Sequence, residues 1–249
     1  RKEAWLSETD LLVLDEIHKM PQWKNYLKGV FDTKPASMKI LVTGSARFDT
    51  FRESGDSLAG RFFLHRILPI SLGEVAFCKE KYNLQHLLER GGFPEPLLAE
   101  TNLEAERWRL QYVDGLIKND VWHLEGIMDF RALNTLIELL KNAVGSTISY
   151  TNLAQDLQVA PNTVKKYIEV LESAYLIFKV TPYSKNIARA LLKEPKIYFY
   201  DYPLVSDAGA RLENFVAVSL LKEVLARQDY GAQAASLHYI RTKDGKEVD

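Results

Sequence analysis

The run Leu11-Leu12-Val13-Leu14 is apolar without alternation and stops at Asp15-Glu16. An uninterrupted apolar run of strand length is the pattern of a strand covered on both faces, which points to a parallel sheet between layers of helix. Trp23, Tyr26, Leu27, Val30 and Phe31 follow at the i, i+3, i+4, i+7, i+8 spacing of one helix face, with Pro21 near its start. Ile40-Leu41-Val42-Thr43 then reads as a second strand, followed by Gly44-Ser45. Strand, helix and strand make one right-handed crossover whose strands run parallel. Ligands of open parallel sheets bind outside the carboxyl ends of the strands, where Asp15-Glu16 and Thr43-Gly44-Ser45 both fall.

An apolar strand ending in two adjacent acids is the Walker B arrangement. The first carboxylate, Asp15, holds Mg2+, often through water; the second, Glu16, orients and deprotonates the attacking water. The competing reading is that both acids cap the following helix, since acids favour helix N-termini. The polar end of the second strand favours the ATPase reading.

LLVLDEIHKMPQW, then ILVTGSA, then SLAGRFFLHRILPISLGE together resemble the core of prokaryotic AAA-type ATPases that carry a C-terminal region of unknown function, and the likeness runs on through the chain. The resemblance implies an α/β fold containing part of a P-loop ATPase sheet, with ATP and Mg2+ as cofactors. It puts Ser45 in the sensor position and makes Arg61 a candidate arginine finger, acting in cis or from a neighbour in a homo-oligomer. A guanidinium suits that role because its donors are fixed and its charge permanent. Arg61 as an ordinary solvated arginine, and Ser45 as a turn cap, remain open. No G-x-x-x-x-G-K-[ST] occurs in the 249 residues, so the loop that cradles the phosphates is expected upstream of Arg1, and this stretch alone is not expected to bind ATP tightly.

Composition narrows the alternatives. One cysteine, Cys78, excludes an intramolecular disulfide and a cysteine-rich zinc site, and the five histidines show no paired ligand spacing. No apolar stretch reaches membrane-spanning length and no signal peptide is apparent, so a cytoplasmic location is expected. A formal net charge of −1 confines any nucleic-acid contact to a local surface.

Residues 1–78 form the ATPase segment in this reading and 79–145 a helical connector. There Leu133, Leu136, Ile137 and Leu140 are core positions, and Gly91-Gly92 permits a tight turn. Residues 146–200 read as a winged helix. A short helix carries Leu153, Ala154 and Leu157; Pro161 opens a second; strands follow at 175–180 and 196–201. Its outward face presents Asn162, Thr163, Lys165 and Lys166, with Lys185 in the wing, as DNA-contacting residues. Over 161–196, seven basic residues face three acids, a local balance of +4. A dimerisation or lid role is the alternative, because Glu169 and Glu172 repel a phosphate backbone.

Residues 201–249 pair RLENFVAVSLL with HYIRTKDGKEVD, which resembles the opening of restriction-endonuclease-like folds. By that resemblance Glu213 and Asp249 would bind Mg2+, with an E-x-K strand still to come. In the plainer reading Glu213 pairs with a nearby cation. Leu212, Phe215, Val216, Ser219 and Leu220 line one helix face, with Glu213 at its edge. The expected function is an ATPase coupled to a DNA-contacting module. A non-hydrolysing DNA-binding or interaction protein with a decayed ATPase core, and a Mg2+-dependent nuclease, are the alternatives.

Overall fold

Strand β1 (Leu11–Leu14) pairs in parallel with β2 (Lys39–Val42), Leu14 opposite Val42, and helix α1 (Trp23–Thr33) forms the crossover. The computed structural model describes residues 9–44, 58, 60–77, 82–121, 129–184, 194–231, 235–241 and 247–248. It divides into two compact units, Arg1–Leu64 and His65–Asp249.

In the first unit Trp23 and Val30 face inward from α1, together with Ile17 and Met38. The strands differ from expectation. Leu11, Val13 and Leu41 are about half exposed (53%, 52% and 50%), so β1 and β2 are covered on one face and open on the other within this unit. Two strands and one helix supply a single covering layer, and an apolar run reports the propensity for two-sided burial without supplying the second layer.

The second unit begins with an extended stretch and the short helix α2 (Leu72–Ala76), closed by a Ser71/Glu74 capping box. Helices α3 (Leu84–Arg90), α4 (Pro94–Leu98) and α5 (Asn102–Gly115) follow, α5 running on as a π-helical turn at Leu116–Val121. Helix α6 (Phe130–Ala143) supplies Leu133, Leu136, Ile137 and Leu140, at most 2% exposed, as its spacing predicts. Next come α7 (Tyr150–Leu157) and α8 (Pro161–Ser173), joined through Gln158 in the left-handed region. A four-stranded sheet in the order β4-β3-β5-β6 completes the unit. Its strands are β3 (Ile177–Pro182), β4 (Lys196–Phe199), β5 (His238–Arg241) and β6 (Glu247–Val248); the β3–β4 and β5–β6 pairs are antiparallel and β3–β5 parallel.

Helix α9 (Ala208–Asp229) lies between β4 and β5 in sequence. Its inward residues are Asn214, Phe215, Ala217 and Val218, whereas Leu212, Val216 and Leu220 are 45%, 46% and 44% exposed. Of the five residues that share one face by spacing, Phe215 is the one that is buried. Apolar residues surround this helix, so periodicity could not choose its buried side, and a polar contact does. The buried Asn214 amide accepts from Phe199 N–H at 2.9 Å and donates to Phe199 C=O at 2.6 Å, taking the place of a neighbouring strand along β4.

A second buried polar knot fixes the helical part. Arg109 donates to Asp201 Oδ2 at 2.6 Å and to the Arg90 carbonyl at 3.1 Å, with Asp201 fully buried. Burial pushes the Asp201 carboxyl up and the guanidinium works against it. Arg90 turns back onto Asn102 Oδ1 and the Ala99 carbonyl. Gly91, at φ +85°, brings its backbone against Asp201, where any side chain would collide. The tight turn expected at Gly91-Gly92 exists for this contact.

Asn214→Ala is expected to destabilise the protein by about 2 to 4 kcal/mol, because it leaves a buried N–H and a buried C=O without partners. The check is the midpoint of urea unfolding at unchanged slope. Val216→Ala on the exposed side of the same helix is the control, expected to cost under about 0.5 kcal/mol. An Asn214→Ala loss as small as the control's contradicts the role of the amide.

Candidate functional site

Parallel pairing brings the carboxyl ends of β1 and β2 side by side, and there the polar groups meet. The Thr43 hydroxyl donates to Asp15 Oδ1 and accepts from Glu16 N–H at 3.4 Å, while Thr43 N–H donates to the Leu14 carbonyl at 2.9 Å. Asp15 and Glu16 are thus held by the neighbouring strand. Asp15 is exposed and Glu16 half-buried.

Glu16 has φ 50° and ψ 37°, the left-handed region. A residue with a Cβ there costs about 1 to 3 kcal/mol and persists where its surroundings demand it, most often at functional sites. Its carboxylate pairs with Lys19 at 2.9 Å, two side chains 31% and 62% exposed, so the pair is screened and weak. The helix-capping reading of the acids finds no support in the geometry. Helix α1 starts at Trp23 behind Gln22 with no acid in its first turn, and Glu16 makes no side-chain capping bond to the 3-10 turn Ile17–Lys19.

Arg61 lies in the same unit and pairs with Asp32 of α1, Nε to Oδ1, at 3.7 Å. Ser45 falls outside the described residues, as do Lys185 and Asp249. Among the described residues Thr43 is the hydroxyl that touches the acids, a contact the sequence does not single out. The signal available was its place as the first residue after Val42, in line with Asp15 after Leu14 in the parallel register.

In the second unit, Asn162, Lys165 and Lys166 are exposed near the start of α8 and Thr163 is half-buried. Pro161 takes the first helical position and Ala160 offers no side-chain cap. Lys165 stands 3.9 Å from Glu169, both more than half exposed. Asn152, Gln155, Asp156 and Gln158 of the α7–α8 stretch are also exposed.

Glu213 has partners of its own. It accepts from Tyr198 Oη at 2.7 Å, faces Lys196 Nζ at 3.6 Å, and leaves no room for a side chain at Gly145, where a Cβ would approach Oε2 to 2.7 Å. Lys196 is fully buried and also lies over the Tyr239 ring. The plainer reading of Glu213, a carboxylate paired with a cation, is the arrangement observed. Among the described residues no three His, Cys, Asp or Glu side chains come together as a metal cage, and no described helix is long and apolar enough to cross a membrane.

Residues 1–76 match the sequence model of an AAA domain, and residues 81–214 match that of a domain of unknown function, DUF8612. An uncharacterized protein of Mycobacterium tuberculosis is 26% identical over 246 residues, covering 96% of this chain and 55% of its own length. One from Haemophilus influenzae is 28% identical over 261 residues (95% and 61%), and one from Methanocaldococcus jannaschii 26% over 258 residues (88% and 53%). The chain spans a little over half the length of these curated relatives. No solved structure matches it. With the model matching over residues 81–214, the chain belongs to the DUF8612 family, here following an AAA-like segment.

Proposed function

We propose that the first unit is the metal and water side of an ATP-hydrolysing site. The observation that carries this reading is the three-way junction of Asp15, Glu16 and Thr43 at the carboxyl edge of a parallel pair, within the residues that match an AAA domain. Asp15, exposed at that edge, serves Mg2+ directly or through water. Glu16 accepts the proton of the water that attacks the γ-phosphate. Thr43 aligns both, Ser45 serves as the sensor, and Arg61 neutralises charge on the γ-phosphate once released from Asp32.

The residues fit the metal. Mg2+ bound with a nucleotide uses one or two carboxylates, phosphate oxygens and water, so two adjacent acids suffice and a cage of three or more protein ligands is not required. Bound Mg2+ would neutralise charge developing on the phosphates. The phosphate cradle is assigned to sequence outside these 249 residues, which contain no glycine-lysine phosphate loop.

The α7–α8 pair with the β3–β4 hairpin we read as a winged helix, with Asn162, Thr163, Lys165 and Lys166 toward DNA and Lys185 in its wing. The exposed Asn162, Lys165 and Lys166 of α8 support this reading; Glu169, one turn from Lys165, makes it a weak phosphate surface. The nuclease reading of Glu213 and Asp249 is left aside, because a buried lysine and a tyrosine already occupy the Glu213 carboxylate.

Three tests follow, each on the full-length protein. Glu16→Gln is expected to retain ATP binding while single-turnover hydrolysis falls by at least about 100-fold; hydrolysis near the wild-type rate would return the core to a non-hydrolysing role. Thr43→Val removes a hydroxyl worth about 1.4 kcal/mol, so kcat should fall about tenfold with KM for ATP little changed. Thr43→Ser should restore the rate, and unaltered kcat in Thr43→Val removes the positioning role. For the winged helix, Lys165→Ala with Lys166→Ala should weaken binding to a DNA duplex and lower the slope of log K against log salt by about 2. An unchanged slope assigns the module to protein contacts.

A further inference from the structure

Residues 65–76 belong to two assignments at once. By sequence they fall within the AAA-domain match at 1–76, and by packing they fall within the second unit, His65–Asp249. They run from His65 to Ser71 without regular structure and then form α2.

Two charged clasps fasten this segment to α9. At its start, Arg66 N–H donates to Asp229 Oδ2 at 2.8 Å, and Arg66 Nε to Asp229 Oδ1 at 3.1 Å; Nη2 reaches Asp229 and Gln228 Oε1, the latter at 3.1 Å. Asp229 is 8% exposed in this grip. At its end, Lys222 Nζ donates to Glu74 Oε2 and to the Pro69 carbonyl at 3.0 Å. Lys222 and Asp229 are seven residues apart, two turns along one face of α9. Between the clasps Ile70 N–H donates to the Gly92 carbonyl at 2.7 Å. The backbones meet there so closely that a Cβ on Gly92 would lie 2.7 Å from Ile70 O and 2.8 Å from Pro69 Cβ.

Apolar burial contributes unevenly. Leu68 and Ile70 pack against the core, but Ile67 is fully exposed and Leu72 is 41% exposed. The two ends of the segment are therefore held by directional charged bonds. Burial pushes the Asp229 and Glu74 carboxyls up, yet Arg66 and Lys222 hold both below the ordinary carboxylate range. A bidentate guanidinium with an added backbone donor is the strong form of such a contact.

We propose that residues 65–76 are a strap that transmits displacement of the chain at Leu64 to α9, with Arg66–Asp229 as the releasable clasp. The chain continues directly from Arg61 and Leu64 into the strap, so a nucleotide-dependent shift of Arg61 pulls on it; this driving step rests on the ATPase reading above. From α9 the Asn214 amide carries the shift to β4, which pairs with β3 directly after α8. The nucleotide state would thereby reach α8 through contiguous hydrogen-bonded elements.

Amide hydrogen exchange on the full-length protein tests this in two arms. Without nucleotide, Asp229→Ala should raise exchange at least about tenfold at residues 66–71 and at 222–229 together, and the charge swap Arg66→Asp with Asp229→Arg should restore protection at both. Faster exchange at only one of the two segments, or at neither, overturns the strap whatever the nucleotide does. With ATP and Mg2+, the wild type should change exchange at 222–229, and Asp229→Ala should lose that response while still hydrolysing ATP. A response that survives in Asp229→Ala overturns the coupling. Absence of ATP binding in the wild type sinks the ATPase reading and the driving step with it, while the first arm still decides the clasp.

Discussion

Two parallel strands joined by one crossover helix must finish on the same edge of their sheet. That constraint places Thr43 beside Asp15 and Glu16, and the rest of the candidate site depends on it. A one-residue slip of β2 would move Thr43 to the opposite face and leave Asp15 without its hydroxyl. The left-handed Glu16 is the local cost of turning the second acid out of the strand direction immediately after the first. This edge lies within residues 1–76, which match the sequence model of an AAA domain.

The second unit is organised by polar groups that the core cannot do without. Asn214 ties α9 to the backbone of β4, Arg109 ties α5 to Asp201, and Gly91 permits the contact between them. A buried ion pair of this kind adds little net stability over an apolar replacement, but losing one partner leaves a charge stranded. Such contacts choose one packing among several that apolar residues alone would allow, which is why α9 buries Asn214 and leaves Leu212, Val216 and Leu220 outside.

Elements with a clean period were legible in the sequence. The parallel pair with its crossover, the α6 core residues Leu133, Leu136, Ile137 and Leu140, and the two helices flanking Pro161 follow from spacing and from proline and glycine placement. Burial of β1 was overestimated, because Leu11 and Val13 announce a second layer that the described residues of the first unit do not supply. The Thr43 contact was not legible in advance, because the strand register decides which hydroxyl meets Asp15. The contacts of Arg66 with Asp229 and of Glu213 with Lys196 join residues far apart in the chain, and no local pattern encodes them.

The most direct test of the account is a structure of the full-length protein with Mg2+ and a non-hydrolysable ATP analogue. Asp15 is expected in the coordination or water shell of the metal, with the Glu16 carboxylate hydrogen-bonded to a water in line with the γ-phosphate. A bound nucleotide whose metal and attacking water are served by other residues, with Asp15 and Glu16 outside both shells, would contradict it.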